Sequence, residues 1–145
     1  MNKVTFKVAT SPEDILSAQK VRFEVFTEEQ GFPRELDLDG DDERSFHVLA
    51  YAENNPEPIA SGRLTINTDE GVLSRIAVKK QFRGMSLGKQ VVMRLEEIAK
   101  EKNVRALSLS PHSYLKKFYS DLGYQTQEGT KQISKYTLLK MKKNI

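Results

Sequence analysis

Val4, Phe6 and Val8 alternate with Thr5 and Lys7, the period-two pattern of a half-buried strand. Ser11, Pro12 and Asp14 then make a helix start: a hydroxyl to cap the first N–H groups, a proline whose missing N–H is no loss there, and a carboxylate near the capping-box position. Ile15, Ala18, Gln19, Arg22 and Phe26 continue one face, which predicts a helix to about Thr27, broken by Gly31, Phe32 and Pro33. Apolar runs at 46–52, 59–67 and 72–78, separated by the turn sequences ENNPEP and TDEG, predict an antiparallel meander. Leu87, Val91, Val92, Leu95, Ile98 and Ala99 recur at spacings of three and four, the stripe of an amphipathic helix ending near Asn103. A short buried strand at 106–109 follows, then a second stripe of Tyr114, Leu115, Phe118 and Leu122 closed by Gly123, and two final strands around Tyr124 and at 136–139.

The order is βα, βββ, αβ, αβ, β, with no repeat, low-complexity tract or linker. Elements in that order must share one core, a mixed sheet with helices on its faces, so the expected class is α/β (α+β) in a single domain over residues 1–145. A chain of 145 residues that is 38% apolar can bury one modest core. Between the first helix and the meander stands ELDLDGDDE, six acids in nine residues. An EF-hand loop needs glycine at its sixth position, whereas counting from Asp37 it falls fourth, at Gly40; the segment reads as a solvated acidic loop.

With no cysteine the chain has no disulfide, thiolate ligand or thiol nucleophile, and His47 and His112 alone leave little for a metal, so none is expected. Neither a signal-like apolar run at the start nor a stretch of about 18–20 apolar residues is present, and a cytoplasmic protein with no membrane partner is expected. The net charge of +3 is mild, so placement of charge matters more than its sum. Lysines and arginines from Lys79 to Lys89, Arg105 and the KMKKN segment at 140–144 raise a nucleic-acid reading. No stacking aromatics are interleaved with them and the acidic loop would repel phosphate, so no nucleic-acid partner is expected.

Candidate chemistry concentrates in VLSRIAVKKQFRGMSLGKQVV at 72–92, where a strand, a polar loop with two glycines and a long helix follow one another. Unpaired N–H groups and the positive end of the dipole at a helix start stabilise phosphate oxygens, and Lys79, Lys80, Arg83 and Lys89 add charge around the same turn. A P-loop and a dinucleotide fingerprint both fail on spacing. From the loop alone, an anion site and a glycine-shaped turn with solvated lysines remain open alternatives.

The run LSRIAVKKQFRGMSLG, Leu73 to Gly88, resembles the acetyl-CoA site of the GNAT N-acetyltransferases, with Arg83, Gly84 and Gly88 matching the Arg-x-x-Gly-x-Gly/Ala signature. Ser86 stands where the family usually has its central glycine. FYSDLGY at 118–124 resembles the family's Phe-Tyr-x-x-x-Gly-Phe/Tyr ending, and VRFEVFTEEQGFPRELDLDGDDERSFHVLAY at 21–51 resembles the YjcF and ElaA branch of small bacterial members. After Tyr124 the likeness weakens: Gln132, Ile133, Ser134 and Lys135 replace the usual Gly-Ile-x-His.

The resemblance implies the GNAT fold, a mixed central sheet of about six to seven strands with helices on both faces. It implies acetyl-CoA as cosubstrate, its acyl-pantetheine arm inserted between two splayed strands against Ile76, Ala77 and Val78, and its pyrophosphate on the N–H groups of Arg83, Gly84, Met85, Ser86, Leu87 and Gly88. Tyr119 aligns with the tyrosine that protonates the departing sulfur, and His112 falls at a polar position that contacts the pantetheine. Some members carry a glutamate base on a strand where this chain has Ser74, so Glu29 (or its neighbour Glu28) and His47 become the candidate bases. Arg22, Arg63 and Arg75 either bind an anionic acceptor or sit in ion pairs. The implied activity is acetyl transfer to a primary amine, a small molecule before a protein, with an acyl-CoA-binding module of little catalysis as the alternative. The implied self-association is a homodimer through the final strands.

Overall fold

Ser11 decides where the first helix begins: its Oγ accepts the Asp14 N–H at 3.1 Å, Pro12 opens the first turn, and the Asp14 carboxylate in turn accepts the Thr10 N–H at 2.9 Å. The computed structural model describes residues 3–133 and 136–145. Its elements are β1 (Val4–Val8), α1 (Pro12–Arg22), a π-helical turn (Phe23–Glu29), α2 (Arg34–Asp37), β2 (Phe46–Ala52), β3 (Ala60–Asn67), β4 (Glu70–Val78), α3 (Leu87–Glu101), β5 (Ala106–Leu109), α4 (Lys116–Asp121), β6 (Gln125–Ile133) and β7 (Tyr136–Asn144). One mixed seven-stranded sheet runs β1-β2-β3-β4-β5-β7-β6, parallel only between β4 and β5. The mixed α/β architecture with helices on both faces is therefore as the sequence predicted.

Strand alternation sorts the core onto two faces. Val48, Ala50, Leu64 and Leu73 lie beneath the α3 stripe, and all six stripe residues named from periodicity are buried there. On the opposite face Val21 and Val25 pack on Ala77, with Phe26 beside them.

Three expectations change. The first helix does reach Glu29, but from Phe23 it unwinds to π geometry, with the Gln30 N–H bonded five residues back to the Val25 carbonyl at 3.2 Å. Tyr114, counted as core, is 65% exposed, because Ser113–Leu115 form a tight 3-10 turn and α4 starts only at Lys116. The last strand continues through the lysines to Asn144, where it pairs along all of β5. Of Gln132 to Lys135, the segment that stands in place of Gly-Ile-x-His, positions 134 and 135 lie outside the described residues.

The largest correction concerns the acidic loop, which is exposed along most of its length but buries Asp37 and Asp42. Arg22, only 1% exposed, bridges Asp37 and Asp42, each at 2.8 Å. Arg63 donates to Asp39 at 2.7 Å and to Asp42 at 3.0 Å, and Arg75 reaches Asp37 at 3.0 Å and Asp39 at 3.2 Å. Three arginines from α1, β3 and β4 thus neutralise three aspartates and fasten residues 37–42 to the sheet. Donation from Arg63 holds the Asp39 carboxyl below its ordinary range. Burial opposes charge on Asp42, but donation from Arg22, Gln19 and Arg63 outweighs it and holds that carboxyl low as well.

Candidate active site

The sheet opens where the chemistry was expected. β4 pairs with β3 along its whole length, but with β5 only at Glu70, Gly71 and Val72; from Leu73 to Val78 its β5-facing edge has no partner strand among the described residues. A bulge accompanies the parting: Ala77 pairs with Ser61 and Ser74 with Arg63, leaving Gly62 opposite both Arg75 and Ile76. Arg75 adopts φ +58°, a left-handed conformation that a bulky residue holds only where its surroundings fix it. Here its guanidinium is anchored to Asp37 and Asp39, and it also donates to the Asp37 carbonyl at 3.2 Å. Gly62 is required by space, since a Cβ there would stand 2.5 Å from Val91 Cγ1 and 2.9 Å from Ile76 Cδ1.

Ile76, Ala77 and Val78 are the part of β4 that borders this wedge. Beyond them Lys79 to Arg83 turn back, and Arg83 Nε donates to the Val78 carbonyl at 3.1 Å. Among the described residues, the backbone N–H groups of Gly84, Met85, Ser86, Leu87, Gly88 and Lys89 have no hydrogen-bond acceptor; the first α3 bond is from Gln90 to Ser86 at 3.1 Å. Six free donors in succession at a helix start suit a polyphosphate. Leu87 is buried and offers only its backbone, while Met85 is 41% exposed. A Cβ on Gly88 would lie 3.5 Å from Phe118 Cζ and 4.0 Å from Val78 Cγ2, so the loop, the end of β4 and α4 meet at this residue.

Ser86, the departure from the usual glycine, occupies a left-handed conformation (φ +60°, ψ 25°) and its side chain caps nothing. That backbone explains the glycine preference at this position, and it yields a first prediction. Ser86→Gly releases about 1–2 kcal/mol of left-handed strain against roughly 0.5–1 kcal/mol of added chain entropy, so a slight rise in urea midpoint is expected, whereas Ser86→Val lowers it.

Tyr119 lies next to Phe118 in α4, 5% exposed, with its ring edge-on to Phe118 and Tyr124 at 4.9 and 5.9 Å. Burial pushes its hydroxyl up to about 12. Among the described residues that hydroxyl makes no hydrogen bond, in contrast to Tyr124, which donates to Glu96 at 2.7 Å. His112, just past β5, bridges to Leu138; its Nδ1 is buried without a partner and burial holds the ring below its ordinary pKa.

The two candidate bases are placed otherwise. Glu29 is held by Arg83 through two bonds of 2.5 and 2.6 Å, and this donation depresses its carboxyl, so it is an ion-pair partner rather than a proton acceptor. His47 is 1% exposed in β2, and because its Nε2 faces the Asp42 carbonyl at 2.9 Å, that nitrogen carries the proton. Burial lowers the ring's pKa and seals it from solvent, so neither His47 nor the ion-paired Glu29 stands as the base. Arg22, Arg63 and Arg75 are likewise engaged in the aspartate network rather than free for an anion.

One group had no signal in the sequence. Phe32, read as part of a helix break, stacks on Tyr136 at 4.9 Å and lies 5.8 Å from His112, whose ring is 4.7 Å from Tyr136 and 5.2 Å from Tyr114. These four rings come from three segments far apart in the sequence, and no spacing rule links the three.

The family model described as the acetyltransferase (GNAT) family matches residues 13–124. The Bacillus subtilis protein YyaT is 37% identical over 125 residues, covering 84% of this chain and 83% of its own. The N-acetyltransferase YjcF of the same organism is 30% identical over 118 residues, covering 81% and 83%. The crystal structure of Escherichia coli ElaA superposes with a TM-score of 0.85 at 22% identity, covering 97% of this chain and 99% of that one, and so shares the fold.

Proposed function

Because the chain belongs to the GNAT acetyltransferase family, which uses acetyl-CoA, we propose that it acetylates a primary amine of a small molecule by direct attack on the thioester. The observation that carries this reading is the parting of β4 from β5 at the end of β4 that leads into the free N–H row at 84–89. The backbone edge of Ile76 to Val78 then receives the pantetheine arm, the row receives the pyrophosphate, and His112 adds a polar contact at the far side of the wedge.

The neutral amine attacks the thioester carbonyl, and an N–H of the freed β4 edge near Val78 holds the oxyanion that develops. As the N–C bond forms the C–S bond breaks; the amine's proton leaves to solvent, the sulfur takes one from Tyr119, and solvent reprotonates Tyr119, so the protons balance. Tyr119 is the donor to the sulfur. Its high pKa keeps it protonated, and delivery to a thiolate of about 8.5 is uphill, so placement beside the sulfur must supply what acidity does not.

Calorimetry with acetyl-CoA tests the cofactor half of the reading. Micromolar binding is expected, and Arg83→Glu, which sets a carboxylate against both Glu29 and the incoming phosphates, is expected to abolish it while the protein stays folded. No heat at millimolar acetyl-CoA at two temperatures refutes the site. The second reading, an acyl-CoA-binding module, draws on the withdrawal of Glu29 and His47 as bases. Turnover of any amine above the Tyr119→Phe background excludes it.

A further inference from the structure

We propose that the acceptor is a primary amine carried on a flat aromatic body and free of acidic groups, held by Phe32, His112, Tyr114 and Tyr136; this rests on the acetyl-transfer reading. Phe32 follows the π-helical turn that packs on β4, whereas His112 follows β5 and Tyr136 opens β7, so the contacts between them join segments from both sides of the β4–β5 parting. Tyr114 is exposed and close enough to the Glu29–Arg83 pair for their charges to act on it, which places the aromatic group beside the loop as well. An amine reaching a thioester in the wedge from that side meets these rings first.

Charge narrows the class. Arg22, Arg63 and Arg75 on the same side are each paired with aspartates, and Arg83 with Glu29, so none of these guanidinium groups is left for a substrate carboxylate. The amine head has unpartnered polar atoms instead. Of the five buried side-chain polar atoms without a hydrogen-bond partner among the described residues, Thr27 Oγ1 and Gln30 Oε1 lie on the segment leading into Phe32, and His112 Nδ1 lies within the ring group. Unpartnered polar atoms on the segment leading into Phe32 and on a ring of the group suit a hydrogen-bonding head on a flat body.

The test uses the full chain with saturating acetyl-CoA and follows thiol release for 2-phenylethylamine and tryptamine against spermidine and L-glutamate. The arylalkylamines are expected to exceed the others in kcat/KM by about tenfold or more, the scale on which apolar contacts discriminate. Phe32→Ala is expected to remove about tenfold of that advantage with acetyl-CoA affinity unchanged, and Phe32→Tyr to recover most of it. Preference for spermidine or glutamate, or an unaltered preference in Phe32→Ala, overturns the inference alone. Failure to bind acetyl-CoA, or binding with no turnover of any amine, overturns the acetyl-transfer reading and the inference with it.

Discussion

Replacing Arg22 with methionine is expected to destabilise the fold by about 3–5 kcal/mol, because it leaves two aspartates buried without their main partner. In a chain of this size that corresponds to a fall in Tm of roughly 10–20 °C. Methionine matches the aliphatic stem of arginine, so packing loss contributes little and the charge effect dominates. Arg22→Met combined with Asp42→Asn is expected to recover part of the loss, since the amide removes one uncompensated charge. Equal stability of Arg22→Met and wild type in urea would show that the network contributes nothing.

The same carboxylates set the acid limit. Asp39 and Asp42 have folded pKa values below their ordinary 3.8, so they bind protons more readily unfolded than folded. Their contribution is complete above the ordinary carboxylate range and is lost as pH falls through the lower folded values. Wild-type stability is therefore expected to be flat with respect to these groups from neutrality to about pH 4 and to decline below it, with a shallower decline in Arg22→Met.

Tyr119→Phe is expected to reduce kcat by roughly 10²–10⁴, the range for loss of a positioned general acid. The substitution deletes one hydroxyl that bonds to nothing among the described residues and retains the ring contacts with Phe118 and Tyr124, so the urea midpoint and acetyl-CoA affinity should hardly move. With the hydroxyl pushed up to about 12, this group imposes no alkaline loss of activity below about pH 10. Turnover equal to wild type at saturating acetyl-CoA would remove Tyr119 from the mechanism.

How far the sequence carried the site depended on whether the signal was local. The Ser11 cap, the α3 stripe and the loop from Arg83 to Gly88 were legible because each is written in consecutive or periodic residues. His47 and Glu29 were assigned as bases from residue type alone, and their roles were decided by partners 5 and 54 positions away. The acidic segment looked solvated for the same reason: its counter-charges come from α1, β3 and β4.

By itself, then, the chain determined its elements, their order, the mixed sheet and the glycine-bearing helix start, since propensity, capping and apolar period act within a few residues. Tertiary structure alone decided where β4 parts from β5, which arginines are neutralised, that His47 is sealed in the core, and that Phe32, His112, Tyr114 and Tyr136 share one face. Those are contacts between residues far apart in sequence, and burial and Coulomb energy depend on distance in space, which local pattern does not encode.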